Sequence, residues 1–183
     1  MTILHIDSSI TGEKSASRAI SRSILDQLVA QNPRAQVISR DLVADPLPHF
    51  TLASFNDQEV LEEFLGADTI VIGAPMYNFT LPTQLKAWLD RILVAGKTFR
   101  YTPEGPEGLA MGRRVIVALA RGGIYDAGSP AAALEHLETY LRGVFNFIGI
   151  DPEFVAADGL NFGPEQREAS IRVALGETVR LAA

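Results

Sequence analysis

Three short apolar runs constrain this chain more than any other feature: residues 3–6 (ILHI), 69–73 (TIVIG) and 115–119 (VIVAL). Each is too short for a helix and rich in β-branched side chains. Turn chemistry follows each at once: Asp7-Ser8-Ser9, Ala74-Pro75 and Arg121-Gly122-Gly123. Near-continuous apolar runs of this length suit strands buried on both faces, as in a parallel sheet. Two weaker strands fit at 36–39 and 153–156.

Helical patterns lie between the runs. Ala19, Ile20, Ile24 and Leu28 recur at helical spacing and stop at Asn32-Pro33. Val60, Leu61, Phe64 and Leu65 mark a short helix ending near Gly66. Leu85, Trp88, Leu89 and Ile92 form a strong stripe, with Pro82 in its first turn and Gly96 past its end. Leu134, Leu137, Leu141, Val144, Phe145 and Ile148 form another, opened by Ser129-Pro130 and closed by Gly149. A last helix runs from about residue 164 to 181. Strand and helix therefore alternate five times. Right-handed crossovers make that an α/β, doubly wound, five-stranded parallel sheet with helices on both faces. The length favours the flavodoxin-like strand order 2-1-3-4-5, in which ligands sit at the carboxyl ends of the strands.

At 183 residues the chain matches one domain of ~100–200 residues, so 1–183 is expected to be a single domain. A hydrophobic fraction of 47% supplies a core and excludes a disordered chain. Sixteen basic against twenty-two acidic residues give a net charge of −6, which argues against a nucleic-acid partner. Without cysteine, disulfides, zinc–thiolate sites, iron–sulfur ligation and thiol catalysis drop out. No apolar stretch approaches the ~18–20 residues of a membrane span, and the N-terminus has no signal-peptide pattern. A cytoplasmic protein with no membrane partner is expected.

The fold directs attention to the turns after strands one, three and four. The first, residues 8–17, carries hydroxyls at Ser9, Ser15 and Ser17 and leads into a helix, whose first N–H groups suit a phosphate. It lacks both the Walker A and the GxGxxG spacing. Ser15 or Ser17 as a plain helix cap is the alternative. The second turn, Met76-Tyr77-Asn78-Phe79, offers large side chains that can line a flat ring and an amide to address its heteroatoms. Plugging a sheet edge, or covering it in a dimer, is the alternative. In the third, Ala120-Arg121-Gly122-Gly123, paired glycines permit positive φ or close backbone approach, although ordinary tight turns use them too. A hydroxyl-rich cradle, an aromatic wall and a glycine floor at one crevice suit a planar cofactor with a phosphate tail.

Side-chain catalysis is poorly represented. There is no GxSxG elbow, and strand three ends without an aspartate to phosphorylate. His5, His49 and His136 show no metal-ligand spacing, so no metal site is expected. His5 and Asp7 read as locally hydrogen-bonded strand residues. No nucleophile–base pair stands out, as expected where a cofactor carries the chemistry.

The motifs that carry a family likeness are IDSS at 6–9 with SAS at 15–17, VIGAPMYNF at 71–79, TQLKAWLDRI at 83–92, GKTFRYTPEGPEGL at 96–109 and ARGGIYDAG at 120–128. Together they resemble the FMN-dependent NADH azoreductases, flavodoxin-like homodimeric flavoenzymes that also reduce quinones. The resemblance spans residues 3 to about 165. It implies an FMN-dependent NAD(P)H oxidoreductase acting on quinones and azo compounds by a ping-pong cycle, with NADH or NADPH as donor. It implies phosphate binding at Ser9, Ser15, Ala16 and Ser17. The flavin ring is then expected along Met76, Tyr77, Asn78 and Phe79, closed on its other side by Ala120, Arg121, Gly122 and Gly123. Phe79, Tyr101, Tyr125 and Phe147 are the expected substrate-stacking residues, with those matching Tyr101 and Phe147 reaching a neighbouring subunit. No catalytic acid or base is expected.

Tyr101 lies in an excursion long enough to act as a lid. Tyr140 and Phe147 form a second apolar strip on their helix, as a dimer face requires. Two departures from the family pattern stand out. Ala120 replaces the usual serine, and residues 43–67 compress a longer stretch, so a wider or differently shaped mouth is expected. A non-enzymatic flavodoxin-type carrier is the alternative reading, and a scaffold that has lost FMN is a third. Arg18, Arg100 and Arg121 are candidate contacts for the additional phosphate of NADPH.

Overall fold

A computed structural model describes residues 1–56 and 58–181. In chain order the elements are β1 (Thr2–Asp7), α1 (Ala16–Gln31), β2 (Gln36–Asp41), α2 (Glu59–Gly66), β3 (Thr69–Pro75) and α3 (Thr83–Ile92). There follow β4 (Phe99–Thr102), β5 (Gly105–Gly108), β6 (Arg114–Ala120), α4 (Glu138–Phe147), β7 (Glu153–Ala157) and α5 (Pro164–Leu181). Five strands form one parallel sheet in the order β2-β1-β3-β6-β7. Counting that sheet's strands alone, this is the expected 2-1-3-4-5 order.

The continuous hydrophobicity of the central strands has a direct cause: each parity faces a different apolar layer. Leu4, Ile6, Ile70, Ile72, Val115, Val117 and Leu119 pack beneath α2, α3 and α4 with Phe64, Trp88 and Phe145. Ile3, Val71, Ile116, Ala118 and Val155 pack beneath α1 and α5. An apolar side chain fully buried in either layer contributes roughly 1.5–3 kcal/mol. Register then brings the three informative turns level. Asp7 pairs with Gly73, and Pro75 with Ala120. Gly73 permits this approach, since a Cβ there would lie 2.5 Å from Asp7 Oδ1.

Three sequence expectations are corrected. The helix expected between Ser129-Pro130 and Gly149 is split into a 3₁₀ turn, Ala132–Leu134, and α4. Leu134 is exposed. The break follows from hydrogen bonding. His136 N–H donates to Phe79 O (3.0 Å) and His136 O accepts from Thr80 Oγ1 (3.0 Å), so its backbone is diverted from a helix. The Glu135 carboxylate accepts the N–H groups of Leu137, Glu138 and Thr139 and caps α4 instead. The excursion at 96–109, read from sequence as turn-rich, contains an antiparallel hairpin of β4 and β5, cross-linked by the Arg100–Glu107 ion pair at 2.7 Å. Ala19 is exposed, and Leu25 completes the buried face of α1 in its place.

Candidate functional site

The turns after β1, β3 and β6 converge on one cavity of about 390 Å³, within the range of small-molecule sites. Ser9, Ser15 and Ala16 line it from the first turn, Met76 and Tyr77 from the second, and Ala120 and Gly122 from the third. A fourth wall was missed from sequence: Leu160 and Asn161 beyond β7, and Arg167 at the start of α5. The turn character of Asp158-Gly159 was the available signal.

Each turn is held by identifiable bonds. In the first, Ser15 caps α1 by accepting Arg18 N–H at 3.2 Å, and its hydroxyl lies 3.1 Å from Ser17 Oγ. Ser17 itself is fully buried and does not line the cavity. The N–H groups of Ala16 and Ser17 have no acceptor among the described residues, so α1 presents unsatisfied donors here. Arg18 fixes the approach to the turn. It donates twice to Ser9 O (2.8 and 3.2 Å) and twice to Asp41 (2.7 and 2.8 Å). Those bonds hold the Asp41 carboxyl down at about 2.

The second turn is the most unusual. Tyr77 N–H donates to Thr80 O (2.9 Å) and Thr80 N–H to Tyr77 O (3.2 Å), closing a two-residue turn. Such a turn needs positive φ at both central positions, where glycine and asparagine are preferred. Here they are Asn78 (φ 47°) and Phe79 (φ 73°). A phenylalanine there is strained, and strain of this kind concentrates at functional sites. The Asn78 and Phe79 N–H groups have no acceptor among the described residues. Tyr77 reaches across to the first turn, its hydroxyl 3.1 Å from both Ser9 Oγ and Ile10 N.

In the third turn, Arg121 points away from the cavity. Its guanidinium is buried and makes a bidentate bond to Asp158 (2.6 and 2.9 Å), with Glu138 at 3.3 Å and Glu135 at 3.5 Å. It ties the turn to β7 and α4. Gly122 and Gly123 do not adopt positive φ. Close packing explains them instead: a Cβ on Gly122 would sit 2.3 Å from Asn161 Nδ2, and one on Gly123 would meet the Tyr125 ring at 3.2 Å. Their N–H groups also lack acceptors among the described residues.

The four substrate-stacking candidates fall into two groups. Phe79 and Tyr125 meet edge to face at 6.5 Å beside the cavity. Tyr101 and Phe147 sit apart from it and each pack against Phe99, at 5.5 and 4.6 Å. Tyr101 is 75% exposed. A separate apolar groove of about 410 Å³ lies along Leu93, Tyr140, Val144 and Phe147.

A larger groove, about 810 Å³, opens on the far side of the first turn, between β1, β2 and α1. The side chains of Arg18, Asp7 and His5 on its walls are already committed. Arg18 is bound to Asp41, Asp7 accepts from Ser21 Oγ (2.9 Å), and His5 Nε2 lies 3.1 Å from the same hydroxyl. Burial lowers the His5 pKa. The three arginines considered for a nicotinamide 2′-phosphate, Arg18, Arg100 and Arg121, are all ion-paired. No metal-ligand cluster occurs among the described residues.

Comparison with known proteins finds relatives along the whole chain. A family model described as the flavodoxin-like fold matches residues 1–181. FMN-dependent NADH:quinone oxidoreductase 2 of Bradyrhizobium diazoefficiens is 53% identical over 201 aligned positions that cover all of both chains. The FMN-dependent NADH:quinone oxidoreductase of Sinorhizobium fredii is 52% identical over 206, again covering both completely. Among solved structures, an FMN-dependent NADH-azoreductase from Bacillus anthracis in complex with FMN superposes with a TM-score of 0.85 at 27% identity, covering 100% of each chain.

Proposed function

This chain belongs to the flavodoxin-like fold family, and on that premise we propose that it is an FMN-dependent NADH:quinone oxidoreductase that also reduces azo compounds. The observation that carries the reading is the cavity itself. Three turns meet there, one with two non-glycine residues at positive φ, and all with N–H donors that the described residues leave without acceptors. Those donors and the volume fit FMN. The names of the whole-length relatives support an enzyme over a passive carrier.

In this reading the hydroxyls of Ser9 and Ser15, with the first turn of α1, hold the phosphate. Met76, Tyr77, Asn78 and Phe79 bound one side of the ring, and Ala120, Gly122 and Gly123 the other. FMN held there would supply two-electron transfer between NADH or NADPH and an acceptor, the two using the same open place in turn. The protein's task is orientation and electrostatics. Free backbone N–H groups at Asn78, Phe79, Gly122 and Gly123 face negative charge without cost of rearrangement, because their turns are already pinned. No side chain is needed as acid or base; water entering the open cavity meets the proton demand of azo reduction. Phe79 and Tyr125 offer stacking surface for the acceptor.

The working form in this reading is a homodimer of single-domain chains. It is supported by the apolar groove on α4 and by exposed Tyr101, which would then approach a neighbouring subunit's cavity together with Phe147. A cytoplasmic location accompanies the use of reduced nicotinamide; no helix among the described residues is long and apolar enough to cross a membrane. Steady-state oxidation of NADH with a benzoquinone tests the reading. Turnover that depends on added FMN is expected, and FMN binding without turnover would favour a carrier.

A further inference from the structure

Arg167 stands in the first turn of α5 and reaches back to the first turn of the site, where its Nη2 donates to Lys14 O at 2.6 Å. Both residues line the cavity beside the hydroxyls of Ser9, Thr11 and Ser15. Among the described residues neither is paired with a carboxylate, whereas Arg18, Arg40, Arg100, Arg114 and Arg121 all are. In a chain of net charge −6, two cations without a carboxylate partner at one cavity stand out. The protein as a whole repels an approaching dianion, and these two side chains reverse the local sign. A guanidinium also keeps several donors free after giving one to Lys14.

We propose that Arg167, with Lys14 beside it, is the specificity-determining cation of the site, selecting a terminal phosphate dianion and thereby FMN over riboflavin. The inference rests on the FMN reading above and deepens it. The hydroxyls and helix start of the first turn supply geometry, while Arg167 supplies charge from the opposite end of the chain. Riboflavin presents the same ring and gains nothing from either cation.

Flavin fluorescence titrations of the full chain with FMN and with riboflavin test this in the wild type, Arg167→Gln and Arg167→Lys. Glutamine keeps an amide donor for Lys14 O but removes the charge; lysine keeps the charge. Arg167→Gln is expected to weaken FMN binding about tenfold, the scale of one charge-assisted hydrogen bond, and to leave riboflavin binding unchanged. Arg167→Lys should retain most of the FMN preference. Added salt should weaken FMN binding more in the wild type than in Arg167→Gln. An unchanged FMN-to-riboflavin ratio in Arg167→Gln, or an equal loss of both flavins, overturns the proposal while leaving the cofactor reading intact. A wild-type chain that binds neither flavin overturns both.

Discussion

The Tyr77 hydroxyl lies 3.1 Å from Ser9 Oγ, joining the turn after β3 to the turn after β1. The same oxygen accepts Ile10 N–H at 3.1 Å. Two turns 68 residues apart in sequence are thereby held at a fixed separation across the cavity. Tyr77→Phe removes the link and keeps the ring. Each lost hydrogen bond is worth about 1 kcal/mol of fold stability, so a loss of about 1–2 kcal/mol is expected, and FMN affinity should fall roughly fivefold as the two turns loosen. Fluorescence titration alongside a urea melt measures both; wild-type affinity in the variant would show that the link does not organise the site.

Gly122→Val places a branched side chain where Asn161 Nδ2 would be 2.3 Å from its Cβ. The obstacle is the end of a side chain, so the backbone can remain in place while Asn161 is displaced into the cavity. FMN affinity is expected to fall by at least about tenfold, with stability changed by no more than about 1 kcal/mol. Isothermal calorimetry with FMN, together with a thermal melt, reports the two effects. Unaltered affinity would put the flavin elsewhere.

Arg121→Ala leaves Asp158, Glu135 and Glu138 facing one another without their shared cation. Removing one partner of a buried ion pair costs about 3–5 kcal/mol. Asp158 and Glu138 are about 30% solvent-exposed, so the lower end, about 3 kcal/mol, is expected. Arg121→Lys should recover little, because a single ammonium cannot reproduce the bidentate bond to Asp158. Denaturant midpoints decide this, and a loss below about 1 kcal/mol would mean the cluster is not held by Arg121.

Acid should weaken the fold in two windows. Burial lowers the His5 pKa from its usual 6.5, so below about pH 6.5 the unfolded chain takes up a proton that the folded chain resists, and stability falls with pH. Asp41, held at about 2 against a usual 3.8, adds stability that is present above the higher value and lost as pH drops toward the lower. Its side chain is 38% exposed, so screening reduces that contribution to the order of 1 kcal/mol. Urea melts from neutral pH downward should show the first decline in the wild type and not in His5→Gln. An equal decline in both would assign it to other groups.

Much of the fold was legible because the central strands are buried on both faces, and burial of that kind leaves no periodicity to misread. Crossover handedness made the sheet doubly wound, and five strands at this chain length favoured the flavodoxin-like order that the sheet has. The β4–β5 hairpin was hidden because strands of four residues, β5 with glycine at both ends, carry no alternation long enough to detect. The start of α4 was misplaced because Leu134 fits the apolar stripe, while the bond between His136 N–H and Phe79 O that breaks the helix is a tertiary contact. At the site, the three turns were readable as turns. Sequence could not show that Arg121 faces inward to Asp158, or that Asn161 and Arg167 complete the cavity, since both depend on how β7 and α5 return to the sheet.

The central claim, that the turns after β1, β3 and β6 clasp a flavin, is tested most directly by mixing the purified chain with FMN, removing free flavin by gel filtration and recording the visible spectrum. About one flavin retained per chain, bleached by NADH under anaerobic conditions and restored by a quinone, is the predicted result. A colourless protein that retains no FMN would contradict the account.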